Sequence, residues 1–167
     1  MGEGRSVSGT ADPHWPQLLF CVVLAPVLSA IFYGLAGRLA GVPDTLVMLS
    51  PFVWMFVLFY GLIPSLLFGS FGCILAERFL STASVTAWSV AGALAASAYV
   101  AASLGAAALG LEALGFFSPW KVVENGKDAL GMGGWAAPVC IVLAGFAAGA
   151  LYRWLSRPRT ATASTGG

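Results

Sequence analysis

The stretch that decides the fold extends from Leu46 to Ala76 and reads LVMLSPFVWMFVLFYGLIPSLLFGSFGCILA. None of its 31 residues carries a charge. As a single α-helix it would be roughly 46 Å long, whereas the hydrocarbon core of a bilayer is roughly 30 Å thick. We therefore predict a membrane-spanning helix that tilts, bends or protrudes. We call residues 46–76 the hub segment, because the other helices are expected to pack around it.

A bend is predicted in the middle of the hub segment, between Gly61 and Pro64. Pro64 has no N–H to donate to the carbonyl oxygen of Tyr60, and its ring crowds that oxygen. Gly61 relaxes the backbone just before it, so we expect the helix axis to change direction by more than about 20°. The alternative is a re-entrant pair that turns back at this point, in which each half would have only about 15 residues.

Small side chains recur after the predicted bend and indicate a helix-packing face. In a membrane two backbones approach closely only where such residues line the contact, because lipid tails are as apolar as leucine. The face consists of Ser65, Gly69, Gly72 and Ala76. We expect it to pack against the third helix, which is rich in alanine.

The composition places the whole chain in a membrane. Hydrophobic residues make up 59% and charged residues 9%, and the mean hydropathy is +0.87. Soluble domains have roughly 25% charged residues. We predict an all-α polytopic membrane protein, a four-transmembrane-helix bundle with proline-kinked helices. The predicted spans are residues 17–39, 45–78, 85–114 and 133–155, in one domain at 17–156 between a flexible tail at 1–16 and a disordered tail at 157–167.

The first and fourth predicted helices contain features like those of the hub segment. Pro26 lies inside the first helix and is expected to bend it. Gly145 and Gly149 lie four residues apart in the fourth helix, which is the GxxxG spacing of closely packed transmembrane helices. We therefore predict that this pair belongs to a second helix-packing face.

The connection at residues 115–132 is the longest one in the predicted topology. Its aromatic Trp120 is followed by Lys121, a pair typical of a segment that lies in the membrane interface. Together with Glu112, just before the connection, these residues are candidates for contact with a partner or ligand. A plain interfacial segment without a partner is the alternative.

The basic residues predict the orientation. With four crossings, one side holds Arg5, Arg78, Arg153, Arg157 and Arg159, and the other holds Arg38, Lys121 and Lys127. The positive-inside rule then places both termini in the cytoplasm. The bias toward alanine, glycine and arginine is compatible with a bacterium of high genomic GC content, so we expect a bacterial cytoplasmic (inner) membrane.

The chain offers few residues for catalysis. Its one histidine, His14, lies in the amino-terminal tail, so neither a histidine metal site nor a Ser-His-Asp triad can be built within one chain. Cys21, Cys73 and Cys140 lie in three different apolar segments and are interpreted as small buried hydrophobic residues. We predict no catalytic, cofactor-binding or metal-binding residue, and we expect that the protein is not an enzyme.

Two classes of function remain after these exclusions. The first is a non-catalytic membrane component, either an accessory or structural subunit of a membrane complex or a homo-oligomer. The second is a small channel or carrier for a neutral or hydrophobic solute, with a cavity opened by the bent helices. The expected partners are the lipid bilayer and another membrane protein or a second copy. Nucleic acid is not expected, because the net charge is +1 and the basic residues are scattered.

Overall fold

The computed structural model describes residues 15–41, 50–80, 84–109 and 136–156. Within these ranges the chain forms helices and no strand. Four helical spans are long and apolar enough to cross a membrane: Trp15–Leu39, Gly61–Leu80, Val85–Ala106 and Ala136–Leu155. The predicted fold class, an all-α four-helix membrane bundle, is confirmed. The protein is a small multi-pass membrane protein.

The helices are numbered in chain order. They are α1 (Trp15–Leu39), α2 (Pro51–Pro64), a π-helical segment (Ser65–Gly69), α3 (Ser70–Leu80), α4 (Val85–Ala108) and α5 (Ala136–Leu155). Helix α1 begins two residues before the predicted span. Parts of the other predicted spans, at 45–49, 110–114 and 133–135, lie outside the described residues, as do 1–14 and 157–167 of the tails.

Local sequence accounts for two of the helix ends. At the start of α2, Ser50 has an extended backbone and its Oγ accepts a hydrogen bond from the N–H of Phe52 at 3.3 Å, while Pro51 takes the first helical position. After α1, Gly41 has a φ of +75°, which glycine adopts without a steric penalty. Helix α1 therefore ends where a glycine can adopt the left-handed backbone conformation without strain.

The described part of the hub segment lies in one helix with a widened turn. This helix runs from Pro51 to Leu80 without interruption, and residues 65–69 directly after Pro64 are π-helical. A proline removes one backbone donor, and a π-helical turn is one way for a helix to absorb that loss. Because the helix continues through Gly61 and Pro64, the re-entrant alternative is not formed. The size of the bend stays a prediction.

The prediction that the other helices pack around the hub segment is wrong. Helix α5 lies between α1 and α4 and packs extensively on both, whereas α2 packs mainly on α1, and α3 mainly on α4. Most of the large side chains of the hub segment point away from the bundle, and the exposed ones include Phe52, Met55, Ile63, Leu67 and Phe71. Such bulky residues keep neighbouring backbones apart, so the glycine-bearing α5 takes the central position instead.

All four spans meet in one buried cluster at one end of the bundle. Helix α1 contributes Leu18, Cys21 and Val22. The other helices contribute Ala76 from α3, Trp88 from α4 and Tyr152 from α5. These residues lie near the start of α1 and α4 and near the end of α3 and α5, so the cluster closes the end of the bundle nearest Trp15.

Candidate functional site

The closest helix contact in the described bundle is a glycine crossing between α4 and α5. A Cβ atom placed on Gly145 would lie 2.5 Å from the carbonyl oxygen of Gly92 and 2.6 Å from the Cβ of Ala96. A Cβ placed on Gly149 would collide with the carbonyl oxygen of Trp88. The structure thus places the predicted pair Gly145 and Gly149 directly against the backbone of α4.

Sequence reasoning did not identify Gly92 as the partner of this pair. A Cβ on Gly92 would collide with the carbonyl oxygen of Gly145, so the two glycines face each other. The signal was present in the sequence, because Trp88, Gly92 and Ala96 follow one another at intervals of four residues and share one helix face. In a helix with so many small residues, that spacing did not stand out.

The predicted face of the hub segment is divided between two neighbours. A Cβ on Gly72 would lie 2.7 Å from the Cβ of Ala95 in α4, while a Cβ on Gly69 would lie 3.2 Å from the Cγ2 of Val22 in α1. Ala76 is 6% exposed and belongs to the buried cluster, and Ser65 is half-buried. The expected contact with the alanine-rich helix is therefore made at Gly72, whereas Gly69 contacts α1.

The structure brings two of the predicted kink residues together. A Cβ on Gly61 would lie 2.8 Å from the Cβ of Pro26. Pro26 is buried inside α1, and the absence of a side chain at Gly61 gives its ring room. The ring of Pro26 in α1 thus packs against Gly61 in α2. Pro64 follows Gly61 by three residues.

A hydrogen bond joins Tyr152 of the buried cluster to the half-buried Glu77. The hydroxyl of Tyr152 donates a hydrogen bond to Glu77 Oε1, and Tyr152 is only 3% exposed. The Tyr152 ring packs on Trp88, with 5.1 Å between ring centroids and 40° between ring planes. Trp88 Nε1 donates to the carbonyl oxygen of Leu80 at 3.0 Å. Side chains of α4 and α5 are thus bonded to the last two turns of α3.

Several serine hydroxyls bond within their own helices. Ser29 Oγ donates to the carbonyl oxygen of Pro26 at 2.7 Å, Ser89 Oγ to that of Val85 at 3.0 Å, and Ser97 Oγ to that of Ala93 at 2.9 Å. Serine in a transmembrane helix often bonds back to its own preceding turn in this way. These three donors are therefore used locally rather than between helices.

No metal site is found in the part of the chain that the structure describes, where no three histidine, cysteine or acidic side chains come together. The three cysteines are free thiols, with Cys21 and Cys140 buried and Cys73 half-buried. The candidate contact residues Glu112, Trp120 and Lys121 lie outside the described residues.

One side of α4 has no neighbour among the described residues. We define the outer face of α4 as the exposed residues that follow one another at intervals of three or four: Thr86, Val90, Leu94, Ala98, Ala101 and Gly105. A groove of about 380 Å³ opens on this face between Leu80 and Leu94, and its lining is almost wholly apolar. A Cβ on Gly105 would have no atom within 4 Å. The outer face therefore combines a groove with a row of small residues.

Comparison with known proteins gives no assignment, since no family model, no curated protein and no solved structure matches the chain.

Proposed function

We propose that the protein is a non-catalytic structural component of a membrane, which assembles with a second copy of itself through the outer face of α4. The observation that carries this proposal is the contrast between two sets of small residues. Those at Gly92, Gly145 and Gly149 are in contact with a neighbouring backbone. Those at Ala98, Ala101 and Gly105 are exposed.

Small residues on an exposed helix face favour association with another helix. They let two backbones approach closely, and the dispersion attraction between the two helices then replaces a weaker attraction to lipid. The crossing of α4 with α5 is an example of this kind of contact within the same chain. A second row of small residues lies on the opposite side of α4 and allows a contact of the same kind.

A second copy is a suitable occupant because the outer face is self-complementary. Helix α4 has no charged residue, so two copies can meet without repulsion. Its exposed Val90 and Leu94 line the groove, and in a twofold arrangement these side chains of each copy can pack into the groove of the other. The small residues further along would then allow close approach of the two helices.

Other partners for the outer face of α4 are distinguished by the experiment that follows. A different membrane protein bound at the same face would make this chain an accessory subunit. The alternative of a small channel or carrier is not favoured by any observation within the described residues.

The experiment compares a substitution on the outer face of α4 with one on another helix. Ala101 lies at the centre of the outer face, whereas Val139 is an exposed residue of α5. We expect the wild-type protein in mild detergent to have the mass of two copies, Ala101→Leu to have the mass of one, and Val139→Leu to remain dimeric. Light scattering after size-exclusion chromatography measures these masses.

Two results would contradict the proposal. One is a monomeric wild-type protein at every concentration tested. The other is a wild-type protein that copurifies with a different membrane protein in fixed ratio and loses it in Ala101→Leu, since the face would then bind that protein rather than a second copy.

We further propose that both termini lie in the cytoplasm of a bacterial cell. The support is the excess of basic residues on the side of the termini, five against three. Reporter fusions after Gly167 and within residues 122–128 are expected to lie on opposite sides of the membrane, with the first one cytoplasmic. Fusions that report the same side would contradict the four-crossing topology.

A further inference from the structure

Two of the three cysteines meet at the buried cluster. Cys21 of α1 is a member of the cluster, and Cys73 of α3 packs against it. The two thiols also lie close enough to interact electrostatically. Cys140 is buried near the start of α5, at the opposite end of the bundle from the cluster. The fold therefore brings two cysteines from different helices together and keeps the third one distant.

The packing of the hub segment on α1 explains why these two cysteines are neighbours. The hub segment runs antiparallel to α1, and a Cβ on Gly69 would lie 3.2 Å from the Cγ2 of Val22. Cys73 follows Gly69 by one turn on the same helix face, and Cys21 directly precedes Val22. A disulfide requires two Cα atoms within about 7 Å of each other. The absence of a side chain at Gly69 lets the two backbones approach closely at this level.

The hydroxyl of Tyr152 provides a route for the proton of the Cys73 thiol. A thiol among apolar groups keeps its proton, whereas the thiolate is the form that reacts with an oxidant. The Tyr152 hydroxyl is within hydrogen-bonding range of the Cys73 thiol, and it donates to Glu77 Oε1. A proton can therefore pass from Cys73 to the tyrosine oxygen while the tyrosine proton passes to the carboxylate. Glu77 acts in this way as a base for Cys73.

We propose that Cys73 and Cys21 form a redox-sensitive pair, which an organic hydroperoxide, such as an oxidised membrane lipid, converts to a disulfide. First the Cys73 sulfur attacks one peroxide oxygen, so that the O–O bond breaks and Cys73 becomes a sulfenic acid. The other oxygen leaves as an alcohol and takes the thiol proton through Glu77. Then the Cys21 sulfur attacks the Cys73 sulfur, the S–S bond forms, and the S–O bond breaks to release water with the second thiol proton. The two thiols lose two electrons, and the peroxide gains them.

The disulfide joins α1 to the carboxyl-terminal half of the helix that contains the hub segment. A cross-link between distant parts of the chain restricts the unfolded state and thereby stabilises the folded one. We therefore expect the oxidised protein to melt at a higher temperature than the reduced protein. Peroxide in the membrane would in this way strengthen the bundle at the end where the buried cluster lies.

The experiment treats the full-length protein in native membranes with cumene hydroperoxide, an apolar organic hydroperoxide. The remaining thiols are then blocked with N-ethylmaleimide, and the protein is digested without reductant for mass spectrometry. We expect the peptides that contain Cys21 and Cys73 to be joined, while Cys140 carries the maleimide. Cys21→Ser should give no joined peptides, and Cys140→Ser should give the same joined pair as the wild-type protein.

The role of Glu77 is tested by the rate of disulfide formation. Glu77→Gln cannot take up the proton, and Tyr152→Phe lacks the hydroxyl that transfers it. Both variants should form the disulfide roughly 100-fold more slowly, the lower end of the range for general-base catalysis. The final yield after prolonged treatment should be unchanged, because the two cysteines stay close together. Tyr99→Phe, which removes the hydroxyl of a tyrosine that packs on Phe68, should react at the wild-type rate.

Four results would contradict the proposal. The first is that Cys21 and Cys73 stay separate in the treated wild-type protein. The second is that Cys140 is oxidised to the same extent, because the thiols would then react regardless of their place in the fold. The third is a wild-type rate in Glu77→Gln, which would exclude this residue as the base. The fourth is an oxidised protein that melts at the same temperature as the reduced one.

Discussion

Replacing Gly145 by alanine is expected to lower the free energy of unfolding by about 2 kcal/mol. The added Cβ would lie 2.5 Å from the carbonyl oxygen of Gly92 and 2.6 Å from the Cβ of Ala96, so α4 and α5 have to move apart. Overpacking of a tight contact costs about 1–3 kcal/mol and occasionally more. Since the obstructing atom is a backbone oxygen, we take the upper end of that range, about 3 kcal/mol. The better helix propensity of alanine returns about 1 kcal/mol, which leaves a net loss of about 2 kcal/mol.

The matched control for this prediction is Gly105→Ala. Gly105 also lies in a transmembrane helix, but within one copy of the protein a Cβ there would have no atom within 4 Å. Because Gly105 lies on the face proposed to meet a second copy, both glycine variants are compared in the Ala101→Leu background, which is expected to be monomeric. The same substitution should therefore be neutral or stabilise the protein by up to about 1 kcal/mol, through helix propensity alone. Thermal or denaturant unfolding in one detergent measures both. If the two variants change stability alike, the glycine crossing is not a close contact, and this result would contradict the placement of α5 between α1 and α4.

The second large effect is expected at Gly72, where the neighbour is a side chain rather than a backbone atom. A Cβ on Gly72 would lie 2.7 Å from the Cβ of Ala95. Gly72→Ala alone should therefore destabilise the protein by about 1–2 kcal/mol after helix propensity is counted. Gly72→Ala combined with Ala95→Gly exchanges the two residues across the contact, so the stability should return close to the wild-type value.

A double-mutant cycle gives the coupling between the two positions directly. For Gly72 and Ala95 we expect a favourable coupling of about 1–3 kcal/mol, equal to the overpacking that is relieved. For Gly145 and Ala96 we expect little rescue, because the carbonyl oxygen of Gly92 remains 2.5 Å from the new Cβ. Equal rescue at both sites, or none at Gly72, would contradict the described geometry.

Much of the fold follows from the distribution of charge and apolar residues. Long charge-free segments have to cross the membrane as helices, because backbone groups in lipid must be satisfied within the segment. The order and number of the four spans were predictable for this reason. Which helix lies in the centre was not, since hydropathy identifies the helices that cross a membrane but not the faces that meet.

The course of the hub segment was only partly predictable. Pro64 marks the point of irregularity, because the loss of its N–H is a local property of the sequence. The π-helical turn at residues 65–69 and the contact of Gly61 with Pro26 depend on the position of α1. A neighbouring helix is needed to decide between the ways in which a proline can be accommodated.

The contacts between distant residues required the structure. Glu77 and Tyr152 are 75 positions apart, and each of them taken alone fits the end of a span, where acidic and aromatic residues are common. Gly92 likewise has many small residues around it in the sequence, and only the structure shows that it contacts Gly145. Whether a small residue faces another helix of the same chain is a tertiary property, and this property distinguishes Gly92 from Gly105.

The most direct test of the proposed assembly is disulfide formation in native membranes by a single added cysteine. If two copies pack through the outer face of α4, Ala101→Cys brings two thiols together near the twofold axis, and mild oxidation should give a product of twice the monomer mass. Val139→Cys, on an exposed position of α5, and the wild-type protein should remain monomeric under the same conditions. A dimer from Val139→Cys and none from Ala101→Cys would contradict the account.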